Sequence, residues 1–136
     1  MALDVIYNNR DYLYGRLLAV AEGIEGYSLY LSDEKRLPTA IRMMQRFADR
    51  PFSTWRTIEL ALQPYIQRLQ NKRGGFVYKQ LSLIDEIMEL FRKEDFSNDK
   101  ALTGEFLLGF HSQRLELGKK KEKEEIVKQE DTEEGE

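Results

Sequence analysis

Residues 39–69 read TAIRMMQRFADRPFSTWRTIELALQPYIQRL, and their spacing decides the fold class. On a helical wheel with Arg42 at zero, Arg46 falls at about 40° and Arg50 at about 80°. Ala40, Ile41, Met43, Met44, Phe47 and Ala48 occupy the half between about 100° and 260°. One side is wholly apolar, and the other carries arginines four residues apart. Arg42 and Arg46 are separated by about 6 Å along such an axis, a spacing at which a row of phosphates could be met. The pattern predicts a helix from Pro38 to Asp49. Proline suits a first turn because its missing N–H would go unpaired there. Pro51 disfavours helix at Arg50 and so marks the stop. A further helix is predicted from Ser53 or Thr54 to Asn71, with Trp55, Ile58, Leu62, Ile66 and Leu69 as its stripe. Pro64 lies inside that stripe and predicts a kink or break near Leu62–Pro64.

Toward the N-terminus, Asn9 can cap a helix running to Ile24. Tyr12, Leu13, Arg16, Leu17, Val20 and Ile24 recur there at three- and four-residue steps. Gly15 costs that helix up to about 1 kcal/mol relative to alanine, which points to close packing against a neighbouring helix. Gly23 and Gly26 punctuate its end. The segment from Tyr27 to Arg36 reads as irregular, with a charged turn over Asp33, Glu34, Lys35 and Arg36. Toward the C-terminus, Gly74 and Gly75 predict a turn. A helix follows from Phe76 to Arg92, with Val77, Leu81, Ile84, Met88 and Phe91 on one face. A polar loop spans Glu94 to Lys100. The last helix starts at Thr103 as N-cap, with Glu105 near the positive end of its dipole. Its expected core contacts are Phe106, Leu107, Phe110 and Leu117, and it is expected to continue past Gly118 into Lys119–Lys123. No hairpin dipeptide separates alternating apolar runs. The expected fold is all-α, a compact helical bundle of about five helices over residues 1–118. Residues 119–136 have Ile126 and Val127 as their only bulky apolar groups, so they read as a charged, disordered or partly helical tail.

At 136 residues and 41% hydrophobic composition the chain can form one domain with a core of its own. It has no cysteine, which excludes disulfides and thiolate metal sites. No apolar run approaches the roughly 20 residues of a membrane span, and Met1 to Arg10 lacks the pattern of a signal peptide. A soluble cytoplasmic protein is expected. The net charge of −3 hides an asymmetry: residues 1–73 carry 11 cations and 8 acids, whereas residues 74–118 and 119–136 each carry 5 and 8.

The chemistry of catalysis is missing from the pattern. His111 is the single histidine. Ser112 beside it does not face it on a helix, and no nucleophile elbow surrounds the pair. Asp95, Ser97 and Asp99 resemble the start of a calcium loop, but the sixth position is Lys100 where glycine is required. Gly74–Gly75 alone is no phosphate cradle. No catalytic residue, metal site or cofactor is expected.

Cations are placed more suggestively. Lys35 and Arg36 lead into the Pro38–Asp49 helix, Arg56 follows Pro51, and Arg68, Lys72 and Arg73 close the next helix. Nine arginines against two lysines in residues 1–73 favour phosphate or carboxylate recognition by a planar fork. The candidate nucleic-acid contacts are Lys35, Arg36, Arg42, Arg46, Arg50, Arg56, Arg68, Lys72 and Arg73. A solvated charged face is the competing reading. Tyr12, Tyr14, Tyr27 and Tyr30 read either as base-stacking groups or as core and subunit contacts.

Three stretches carry a resemblance: residues 9–25 (NRDYLYGRLLAVAEGIE), residues 39–69, and residues 99–114 (DKALTGEFLLGFHSQR). In order and spacing, over residues 8–115, they resemble the C-terminal region of the large subunit of type I-C Cascade, a CRISPR surveillance complex. The family's large subunit is several-fold longer. The resemblance therefore implies a separately translated small subunit begun at an internal start, or an excised C-terminal domain. For the small subunit it implies a non-catalytic helical bundle that supports assembly and stabilises the R-loop by holding the displaced non-target strand. The implied partners are the Cascade large and backbone subunits, further copies of itself, the guide RNA complex and the non-target DNA strand, with no membrane. A purely structural assembly module is the alternative.

Overall fold

The computed structural model describes residues 9–92 and 94–118, which contain helices and no strand. The first helix, α1 (Arg10–Leu31), starts where the Asn9 side chain accepts a hydrogen bond from the Tyr12 amide at 2.8 Å. It runs through Gly23 and Gly26, which were expected to end it. Packing outweighs the glycine penalty, because Leu13, Tyr14, Leu17, Leu18, Val20, Ala21, Ile24 and Leu29 bury nearly every face of this helix. A helix apolar all round belongs at the centre of a bundle. The segment expected to be irregular from Tyr27 is thus helical to Leu31, and the turn follows at Ser32 and Asp33, where Asp33 has φ 56°.

The helix expected over Pro38–Asp49 is two short ones, α2 (Thr39–Arg42) and α3 (Met44–Asp49). The break is at Met43, with φ −99° and ψ 11°. The apolar division survives the break: Ala40 and Phe47 are buried, and Met43, Met44 and Ala48 pack against the core. Next comes α4 (Pro51–Glu89), 39 residues in two helical legs that meet at a kink, as expected of the turn at Gly74 and Gly75. Its one non-helical backbone position is Arg73 (φ −140°, ψ 50°), not Pro64. Pro64 is exposed, so water can take the Leu60 carbonyl that a proline leaves without its helical donor. Trp55, Ile58, Leu62, Ile66 and Leu69 on the first leg, and Val77, Ile84 and Ile87 on the second, are buried.

The last helix, α5, covers residues 105–118. Thr103 accepts a hydrogen bond from the Glu105 amide at 3.4 Å, in keeping with its expected capping role. Asp11 of α1 in turn accepts from the Thr103 amide at 2.8 Å and from its hydroxyl at 2.7 Å. Phe106 and Phe110 are buried as expected, but Leu107 is exposed. Gln113 takes an inner position instead, where its Oε1 accepts from Arg16 Nε at 2.9 Å. The extension of α5 past Gly118 and the tail expected over 119–136 lie outside the described residues.

Two glycines fix the crossing of α1 and α5. A Cβ on Gly15 would stand 1.8 Å from the Phe106 carbonyl oxygen, and one on Gly109 would stand 2.0 Å from the Tyr12 carbonyl oxygen. The close packing anticipated at Gly15 is therefore backbone against backbone. The segment after α4 is pinned to the same end. Phe96 stacks on Tyr14 with centroids 5.5 Å apart and meets Phe91 and Phe52 edge-on. Arg10 donates to the carbonyls of Asp95 (2.8 Å), Asn98 (3.1 Å) and Lys100 (2.7 Å).

Asp99 caps α4 from this segment, accepting from the Ser53 amide at 2.9 Å and from the Ser53 hydroxyl. Those bonds, with Arg50 nearby, hold its carboxyl below the usual aspartate range. A depressed folded pKa means the cap contributes fully above the unfolded value, about pH 4, and is lost as pH falls through the folded value. Asp99→Ala is expected to cost about 1 kcal/mol at pH 7 and less at pH 2. Urea midpoints at the two pH values check this, and an equal loss at both would contradict it.

Candidate nucleic-acid interface

All nine cations singled out from the sequence are exposed. The elements that hold them out are amphipathic. Phe47, Trp55, Ile58 and Leu69 go to the core from the same helices that carry Arg46, Arg56 and Arg68 outward. The break at Met43 places Arg42 and Arg46 on separate helices, so the single-helix angles do not carry over. Both still point away from the buried side.

Their surroundings differ. Arg42 donates to the Leu37 carbonyl at 3.3 Å and to Thr39 Oγ1 at 3.1 Å, and to no carboxylate among the described residues. Arg46 and Lys72 have no side-chain hydrogen bond or ion pair among the described residues, and neither has Lys35. Arg50 stands near Asp99. Arg56 lies over the Phe52 ring at 5.8 Å. Arg68 is 3.5 Å from Glu34, with both side chains well exposed, a geometry worth under about 1 kcal/mol. Arg73 donates to the Tyr27 hydroxyl at 3.0 Å and to the Lys72 carbonyl at 2.9 Å.

Arg36 has a different role. Its Nη1 donates to Glu25 Oε2 at 3.0 Å, and its Nη2 donates to the Tyr65 hydroxyl. Glu25 is 1% exposed, and the same Oε2 accepts from the Thr39 amide at 2.9 Å and the Thr39 hydroxyl at 3.2 Å. One buried carboxylate oxygen thus ties α1 to the 32–38 segment and to the start of α2. Tyr65 joins the two basic clusters, with Arg36 at 5.3 Å and Arg68 at 5.5 Å from its ring centre. Contacts therefore bring Arg36, Arg42 and Arg68 into one neighbourhood. Arg46, Arg50 and Arg56 occupy the α3–α4 corner. Glu25 and Tyr65 were absent from the sequence reading. The sequence signal was an acid on the apolar side of α1 and an aromatic one turn before Arg68.

Of the tyrosines considered for stacking, Tyr12 and Tyr14 are core residues, and burial raises the Tyr14 hydroxyl pKa well above its ordinary value. Tyr27 packs edge-on to Phe76 at 4.7 Å. Tyr30 is exposed. Among the described residues no cluster of His, Asp and Glu could hold a metal ion, and no helix is long and apolar enough to cross a membrane. His111 is exposed and sits edge-on to Phe110.

Together these features define a small all-helical module with an exposed, arginine-rich surface. The family model for CRISPR-associated protein (Cas_Csd1) matches residues 1–117. The chain belongs to this family, that of the type I-C Cascade large subunit. No curated protein matches it.

Proposed function

We propose that this chain serves as the non-catalytic, cytoplasmic small subunit of a type I-C Cascade complex, binding the displaced non-target DNA strand without regard to sequence. The supporting observation is the division within α2 and α3: Ala40 and Phe47 are buried while Arg42 and Arg46 are exposed with no carboxylate partner among the described residues. Guanidinium groups held this way can meet phosphates without first breaking an internal ion pair. Sequence reading falls to guide–target pairing, and the protein stabilises the open strand. Lys35, Arg50, Arg56, Arg68, Lys72 and Arg73 extend the surface. Arg36 contributes mainly through the Glu25 clasp. The large subunit, the backbone subunits and further copies of this chain would complete the assembly around the guide RNA.

Changing Arg42 and Arg46 to alanine should leave the fold intact and weaken single-strand binding. Each lost phosphate contact should lower the slope of log affinity against log salt by about 0.7. Affinity and slope equal to wild type in the assembled complex would overturn the strand-holding role. A second reading, a purely structural assembly module, draws on Leu108 and Leu115, which lie seven residues apart on α5 and are 60% and 62% exposed. Loss of the Arg42/Arg46 variant from the purified complex, with DNA affinity unaltered, would favour that reading.

A further inference from the structure

Gly74 and Gly75 adjoin the bend at Arg73, where weak helix formers are in keeping, but neither their conformation nor their packing requires glycine. Both have negative φ, so no left-handed backbone demands glycine. A Cβ on either would meet nothing within 4 Å, so no close packing demands it. Beside such a bend each costs the helix at most about 1 kcal/mol relative to alanine. Bare backbone at an exposed position suits the close approach of something outside the chain.

The surroundings indicate what approaches. From Leu60 to Ile84 the sequence contains no acid, while Arg68, Lys72, Arg73 and Lys79 supply cations. Tyr78 is 74% exposed, and its ring stacks on no other ring among the described residues. Gly75 and Gly74 stand three and four residues before it, on the side toward which a helical side chain leans. The phenol is thus expected to lean toward the uncovered backbone, one turn from the bend at Arg73. Asp85 and Glu86, the next acids along α4, stand about two turns C-terminal to Tyr78, away from the direction of that lean.

We propose that Gly74, Gly75 and Tyr78, with Lys72 and Arg73, form a seat for one unpaired base of single-stranded DNA. The base stacks on Tyr78, the sugar–phosphate chain passes against the glycine backbone, and the two cations meet the flanking phosphates. The seat rests on the strand-holding reading above and supplies it with a stacking element, since base–aromatic contact tolerates any sequence.

The test is fluorescence anisotropy of a 20-nucleotide oligothymidylate with the full chain. Tyr78→Ala should weaken binding on the order of tenfold with an unchanged salt slope, and Tyr78→Phe should restore it. An oligonucleotide of abasic sugars should bind both variants alike. Lys72→Ala should lower the salt slope by about 0.7. Gly74→Ala with Gly75→Ala should leave the thermal midpoint unchanged or raised and still weaken binding. Tyr78→Ala binding as tightly as wild type, while Arg42→Ala with Arg46→Ala binds weakly, would overturn the seat and leave the strand-holding role standing. No binding by the wild-type chain would overturn both. Normal oligonucleotide binding by Tyr78→Ala, with loss from the assembled complex, would make this a protein contact and overturn the seat.

Discussion

Gly15→Ala is expected to lower the unfolding free energy by about 3 kcal/mol, the upper part of the range for overpacking. The added methyl would meet the Phe106 carbonyl and the Phe110 amide, and backbone atoms in a helix cannot rotate aside as a side chain can. Relief requires α1 and α5 to separate, which loosens Phe106 and Phe110 from the core. Gly109→Ala should cost a similar amount, because its methyl would strike the Tyr12 backbone at the same crossing. The two losses should be less than additive, since separating the helices for one methyl makes room for the other. Gly118→Ala is the control: nothing lies within 4 Å of its Cβ position, and stability should be unchanged or slightly raised. Urea unfolding with linear extrapolation measures the four variants against wild type. A Gly15→Ala midpoint coincident with wild type would show that the crossing is looser than described. Against a total stability of about 5–15 kcal/mol, the expected loss is large enough to leave the double variant partly unfolded at 37 °C.

Glu25→Ala should cost about 3 kcal/mol, near the lower end for breaking a buried ion pair. Its Oε2 gathers three donors, from Arg36 and from the amide and hydroxyl of Thr39. Its Oε1 is buried with no partner among the described residues. The carboxylate is therefore held on one side only, which keeps the expected figure from being higher. Removing it leaves the Thr39 amide without its acceptor and frees the segment bearing Lys35 and Arg36. Arg36→Ala leaves the acid buried and only partly answered, so it too should destabilise. A double-mutant cycle isolates the coupling, expected at about 1–3 kcal/mol. Additive losses would show that the clasp is not a unit. The same variants bear on function: Glu25→Ala should reduce strand binding by releasing the 32–38 segment, although Glu25 itself repels phosphate.

Helical periodicity made most of the core legible. Trp55, Ile58, Leu62, Ile66 and Leu69 are buried as their spacing requires, Asn9 caps α1, and Gly15 meets a neighbouring helix. The misses share a cause: local signals were overruled by contacts distant in sequence. Gly23 and Gly26 read as a stop, but the surrounding bundle holds α1 helical through both. Pro64 read as a kink, yet it faces solvent and the helix runs through it; the backbone departs from helix at Arg73 instead, beside the turn read at Gly74 and Gly75. The wheel through Pro38–Asp49 treated α2 and α3 as one cylinder and could not register the change at Met43. On the candidate interface, the outward direction of Arg42 and Arg46 was legible because apolar neighbours fix it. The inward duty of Arg36 was not, because Glu25 lies on another helix and only the fold brings the two together.

The meeting of α1 and α5 sets an order of events during synthesis. Asp11 waits for Thr103, Gly15 for Phe106, and Arg16 for Gln113. During synthesis α1 therefore cannot complete its contacts until nearly a hundred further residues have been made. Contacts this far apart in sequence form late and slow the search for the native state. Through that interval the greasy flank of the nascent helix has no α5 to cover it, which makes the half-made chain a natural client for chaperones.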